Sequence, residues 1–192
     1  MNRIIRFSGL MILVFCLSSL SYAENYDLRY FLAKVPLKTD ELSRNEKTEL
    51  FDRIKQVLGR AEQIRTKLVG GIQTGDLDVR YQEGRFWMSR LENDHESIET
   101  GIQQIGLLKE KSTHLVAAVR LFKSLKDLSS NFNAYNNMPA FSAFVGDLAP
   151  EIELWADPVF YRFYLLPLVR SKDVERGPSP KEKKSTAPKG KK

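Results

Sequence analysis

The sequence predicts an all-α protein: a long antiparallel helical hairpin or bundle, shorter C-terminal helices and a disordered basic tail. Three observations predict it. Apolar residues recur at alternating steps of four and three over two long stretches. No stretch alternates apolar and polar residues as a half-buried strand would. From residue 171 onward the hydrophobes vanish and Lys, Pro, Ser and Gly take over, a composition that cannot offset its own ordering entropy.

The elements follow in order. Residues 25–35 place Leu28, Phe31, Leu32 and Val35 at helical spacing, and Pro36 ends the run. Ser43-Arg44-Asn45-Glu46 is a capping-box pattern opening a long helix. Its seam is Leu50, Ile54, Val57, Ala61, Ile64 and Leu68, widened by Phe51 and Leu58 to face more than one partner. Gly70-Gly71 is the expected stop.

Asp76 or Asp78 is expected to open the next helix. Its seam is Leu77, Tyr81, Gly84, Met88, Leu91, His95, Ile98, Ile102 and Ile105, with Gly84 as the expected point of close backbone approach. The phase slips at Leu108. A helix unbroken from 76 to 131 would reach roughly 84 Å, so a turn is placed between Gly106 and Thr113. A third apolar face then runs through Leu115, Val116, Val119, Phe122, Leu125 and Leu128. The asparagine-rich stretch 131–137 reads as a loop. Pro139, Pro150 and Pro158 read as starts of short helices, the last capped by Asp157.

Charge divides the chain differently. The 192 residues hold 30 Lys+Arg and 24 Asp+Glu, a net charge of +6. Residues 1–23 hold Arg3 and Arg6 and no acid, residues 171–192 hold eight basic residues and three acids, and residues 24–170 come to −1. Three segments are therefore expected: a cleavable signal peptide over 1–23, a single helical domain over 24–170 and a disordered Lys/Pro-rich tail over 171–192. At the N-terminus Arg3 and Arg6 precede an apolar run over 10–17, and Ser21-Tyr22-Ala23 offers small residues for cleavage after Ala23. The apolar run is short for a retained anchor. Cys16 is the only cysteine, so the mature chain has none, which excludes disulfides, thiolate metal sites and cysteine nucleophiles there. Phe15 before it argues against lipidation. The expected location is periplasmic or secreted, in a bacterial setting.

Chemistry-bearing patterns are few. Glu92-x-x-His95, with Glu99 one turn on and Glu62 on the preceding helix, has the spacing of helical carboxylate–histidine metal sites but lacks a second such pair. Asp76-x-Asp78 with Glu83 lacks the glycine and ligand spacing of a calcium loop. There is no nucleophile elbow, phosphate-cradling loop or His-Glu-x-x-His. No enzyme activity, cofactor or metal is expected. The run Leu42-Ser43-Arg44-Asn45-Glu46 resembles the Leu-Thr-x-x-Gln signature of small helical periplasmic stress proteins and chaperones, with Ser43 and Glu46 at its two defining positions. A capping box accounts for the same five residues.

Two surfaces are candidates for binding. The aromatics Trp155, Phe160, Tyr161, Phe163 and Tyr164 form either a core or an exposed interaction patch, and on one α-helix they cannot all point one way. The lysines Lys181, Lys183, Lys184, Lys189, Lys191 and Lys192 form a candidate polyanion-binding tail, with a reach of roughly 25 Å. The expected function is a non-enzymatic periplasmic or envelope interaction protein, a scaffold or adaptor with helical binding surfaces and a basic tether. The alternatives are a chaperone-like or lipid-binding module using residues 155–164, and a carboxylate–histidine metal-site enzyme. Expected partners are an envelope protein, an anionic envelope polymer or membrane surface reached by the tail, and a second copy through the heptad seams. Nucleic acid is not expected, because no aromatics interleave with the lysines.

Overall fold

Helix α1 (Leu28–Lys34) begins at Asp27, whose carboxylate accepts the Tyr30 amide at 2.9 Å, and it tightens into a 3-10 turn over Val35–Leu37 at the expected proline. A computed structural model describes residues 26–37 and 41–175. The signal-peptide and lysine-tail expectations lie outside these residues, apart from the few tail positions up to 175.

The predicted capping box opens α2 (Arg44–Thr74): the Ser43 hydroxyl accepts the Glu46 amide at 3.3 Å, and the Glu46 carboxylate accepts the Ser43 amide at 2.8 Å. Gly70-Gly71 does not end the helix. The chain turns instead at Gly75, in the left-handed region at φ 78°, where a side chain would be strained. Both long seams are legible in the burial, but α3 (Tyr81–Glu110) starts later than the aspartates suggested, after Arg80. The expected turn before α4 (Leu115–Asn136) falls at residues 111–114, and the His114 ring nitrogen Nδ1 accepts the Ala117 amide at 3.2 Å to cap α4.

The asparagine stretch 131–137 is not a loop: α4 continues through it to Asn136. Tertiary contacts override local preference there, because Phe132 and Tyr135 are buried and Asn131 bonds across to α3. Pro139 starts α5 (Pro139–Val145), and α6 (Leu148–Leu154) carries Pro150 in its first turn. Pro158 does not start a helix. It lies inside an 11-residue π-helix, Trp155–Leu165, that runs from α6 into α7 (Leu166–Glu175) as one rod. The Leu166 amide donates to Tyr161 five residues back, the hydrogen bond that defines the wider turn.

Four rods result. Along α2 and α3, Asp52 meets Lys109, Glu62 meets His95 and Gly84 faces Ile72, so these helices run antiparallel. Gly101 beside Leu121 and Asp94 beside Asn131 set α4 antiparallel to α3. The α6–π–α7 rod runs antiparallel to both its neighbours: Phe122 and Lys126 of α4 meet Tyr161 and Asp157, and Phe51 and Arg60 of α2 meet Tyr164 and Glu151. The fold is an up-down-up-down bundle with no strand among the described residues. No backbone closes on Gly84; the tighter glycine of α3 is Gly101, where an added Cβ would stand 2.9 Å from the side-chain atom Leu58 Cδ1. At Gly84 the nearest atom would be 3.8 Å away.

Candidate functional site

The predicted aromatic patch is almost wholly interior. Trp155, Phe160, Phe163 and Tyr164 are buried, and only Tyr161 is exposed, at 41 %. The π-helix explains the division. Its buried residues are the pairs 155/156, 159/160 and 163/164, with Leu165 buried beside the last, and residues about one turn apart share the inward face. Phe160 stacks on Tyr164, Phe31 of α1 meets Trp155 edge-on at 5.7 Å, and the Tyr164 hydroxyl donates to the Ser112 carbonyl at 2.6 Å. Burial pushes the Tyr164 phenol up to about 12. These four aromatics close the bundle and cannot touch a partner.

The residues between these pairs, as far as Arg162, lie at the surface. Asp157, Pro158, Tyr161, Arg162, Leu166 and Arg170, with Val35, line an open cleft of about 620 Å³. Tyr161 also leans on Phe122 of α4, with ring centroids 5.4 Å apart. Val119 and Val116, one and two turns further along α4, are exposed as well. Asp157 pairs with Lys126, which also takes Glu153, and Lys126 holds the Asp157 carboxyl below its ordinary value.

Glu92 and His95, whose spacing matched helical metal sites, do not come together. His95 turns to the neighbouring helix: its Nδ1 lies 3.3 Å from a Glu62 carboxylate oxygen, and its Nε2 lies 3.6 Å from Glu99. Arg65 grips the same Glu62 with two hydrogen bonds of 2.9 and 2.7 Å. Burial would raise the Glu62 carboxyl, but the Arg65 and His95 bonds outweigh it and hold it below the ordinary value. Glu92 is exposed. Among the described residues no group of three or more His, Cys, Asp and Glu could hold a metal ion.

Sequence reasoning missed the most buried polar cluster. Asp94 is fully buried on α3 and accepts the Tyr135 hydroxyl and, at 2.6 Å, the Asn131 amide, both from α4. Asn131 in turn accepts two bonds from Arg90, at 2.9 and 2.6 Å, and Arg90 lies over the Trp87 ring. Burial raises the Asp94 carboxyl above its ordinary value despite the Tyr135 and Asn131 bonds. Burial and the facing carboxylate push the Tyr135 phenol far up. Every member of this network is spoken for within the bundle. Its signal was a charged residue one position before the predicted seam histidine, with an asparagine-rich stretch elsewhere in the chain to pair with it.

A second cleft, of about 640 Å³, lies between α1, α2 and α6 and is lined by Arg29, Arg53, Arg60, Gln56 and Gln63 over an apolar floor that includes Trp155. Arg60 pairs with Glu151, and Arg53 donates to the Tyr26 carbonyl at 3.0 Å. The far end of the bundle, where α2 turns into α3, carries two exposed aromatics: Phe86 at 57 % and Phe144 at 42 %. Their neighbours Trp87 and Phe141 pack ring to ring at 5.5 Å. No described helix is long and apolar enough to cross a membrane. No family model matches this chain, and no curated protein or solved structure is significantly similar to it.

Proposed function

We propose that this chain is a non-enzymatic adaptor of the bacterial envelope, exported by its N-terminal segment and holding a protein partner on a helical surface. The observation that carries the reading is the pair of large exposed aromatics, Phe86 and Phe144, at the end of the bundle away from the last turn of α7. Exposed aromatics set beside a packed Trp87–Phe141 base are the anchor type that protein interfaces bury. The interior supports the same reading, since the buried polar groups Glu46, Asp94 and Gln104 stand within a packed bundle rather than in an open cavity. The tail, with Lys181, Lys183, Lys184, Lys189, Lys191 and Lys192, adds an electrostatic tether whose hold weakens with salt.

The test is site-specific photo-cross-linking in the native cell, with the reactive residue placed at Phe86 or Phe144. A discrete protein adduct is expected at both positions, and it is expected to be lost in a Phe86→Ser/Phe144→Ser variant that keeps its helical content. Adducts at neither position would overturn the reading. Mass spectrometry of the mature N-terminus tests export: a start after Ala23 is expected, and an intact Met1 in a cytoplasmic fraction would refute it.

A further inference from the structure

We propose that the outward stripe of the π-helix is a docking surface for an anionic lipid bilayer, held flat against the headgroups with Tyr161 at its centre. The inference rests on the envelope reading only for compartment; the contact itself is argued from the surface.

The first support is shape and composition. While Phe160 and Phe163 are buried, Pro158, Tyr161 and Leu166 line one outer cleft together with Val35. Leu37, two residues beyond Val35, is largely exposed, and Val119 lies one turn from Phe122 on α4 and is exposed too. An exposed tyrosine flanked by aliphatic residues suits the boundary between headgroups and acyl chains, where the ring is apolar and the hydroxyl stays wet.

The second support is charge. Arg162 and Arg170 border the cleft from the same rod, and a long cationic side chain such as that of Arg162 can lay its stem on apolar surface while its head meets phosphate. The acid of the rim, Asp157, shares Lys126 with Glu153, so the cation of Lys126 offsets one of these two charges. Residues 176–192 follow α7 in the chain and hold seven basic residues and one acid. Tail and cleft therefore carry the same sign, and each basic group near an anionic leaflet adds to the attraction.

The third support is the π-helix itself. A run of this length is uncommon, because the wider turn packs its backbone less well, and such segments persist mostly where they position side chains for use.

The experiment uses residues 24–192, which contain every described element, with vesicles of phosphatidylglycerol and phosphatidylethanolamine against vesicles of phosphatidylcholine, read by co-sedimentation at low and high salt. Circular dichroism checks that each variant keeps its helices. The protein is expected to sediment with the anionic vesicles and to stay with the supernatant of the zwitterionic ones. Tyr161→Asp with Arg162→Glu is expected to weaken binding tenfold or more, and Phe86→Ser at the other end to leave it unchanged. In a form ending at residue 177 the same double substitution is expected to abolish what binding remains. Wild-type sedimentation by the Tyr161→Asp/Arg162→Glu variant would overturn the proposal. So would a form ending at 177 that no longer binds, since the tail alone would then account for the contact. If the double substitution changes the oligomeric state and not vesicle binding, the face joins two copies of the chain and the proposal fails. Loss of the photo-cross-linked protein partner with vesicle binding intact would strike the adaptor reading and leave this one standing.

Discussion

Asp94 and Tyr135 face each other across the α3–α4 seam with no exposure to solvent, and the phenol donates its proton to the carboxylate. Burial opposes the charge on Asp94, so the tyrosine is one of the two donors that make an ionised carboxylate tolerable there. Removing the hydroxyl with Tyr135→Phe leaves Asp94 with Asn131 alone. A loss of about 1–3 kcal/mol is expected by urea unfolding at neutral pH. The folded carboxyl already titrates above its unfolded value, so protonation favours the fold. The penalty of Tyr135→Phe is therefore expected to shrink as pH falls through the folded pKa of Asp94, because a neutral acid no longer needs the donor. A penalty that stays constant with pH would show that the hydroxyl acts by packing alone.

Glu46 runs the other way. Burial would raise its carboxyl, yet bonds from Lys34, Tyr30 and Ser43 hold it at about 2. A folded pKa below the unfolded one contributes stability that is present above pH 4.5 and lost as pH falls towards 2. Glu46→Gln is expected to cost on the order of 1–2 kcal/mol at pH 7 and to flatten the acid limb of the stability curve over that window. Chemical denaturation at a series of pH values reads both.

Two glycines on α3 are expected to respond with opposite sign. Gly101→Ala sets a methyl 2.9 Å from Leu58 Cδ1, and Leu58 is fully buried with little room to yield. The overpacking of about 1–3 kcal/mol is expected to exceed the propensity gain of about 1 kcal/mol and lower the midpoint of unfolding. Gly84→Ala meets only ordinary contact with Ile72 and is expected to raise it. The two thermal midpoints, measured side by side, decide between this register and one in which Gly84 carries the tight crossing.

Lys126 bridges Glu153 and Asp157 across α4 and the fourth rod, but all three side chains are more than a third exposed. Lys126→Ala is accordingly expected to cost under about 1 kcal/mol at low salt, and the cost should vanish in about 1 M salt. A salt-independent loss would mean that the lysine stem, not its charge, holds the rods together.

How far these features could be read from the residues varies with range. Heptad spacing made the long helices legible, and Ser43 with Glu46 made one boundary legible to the residue, because caps are local chemistry. Gly70-Gly71 misled because glycine lowers helix propensity by only about 1 kcal/mol, which the buried face of α2 outweighs, whereas Gly75 supplies the positive φ that a turn requires. Asn131 misled for the opposite reason: its preference for turns is real, but Asp94 and Arg90 lie on another helix and could not be seen from its neighbours. The aromatics at 160, 161, 163 and 164 showed that an ordinary helix could not seat them together. The answer, a wider turn, depends on Trp155 finding Phe31 and Phe160 finding Tyr164, and the first of these pairings spans most of the chain.

The meeting of Phe31 with Trp155 orders events in time as well as in space. A ribosome delivers α1 before α2, whose Glu46 and Arg53 take its polar side, but the ring that seats Phe31 is made last. Until the fourth rod has emerged, the Phe31 side chain and the strip around it stay without their seat, even when α2, α3 and α4 have already paired through their short turns. The apolar face of α1 thus stays open to any factor that grips it during synthesis, and it closes only when Trp155 arrives.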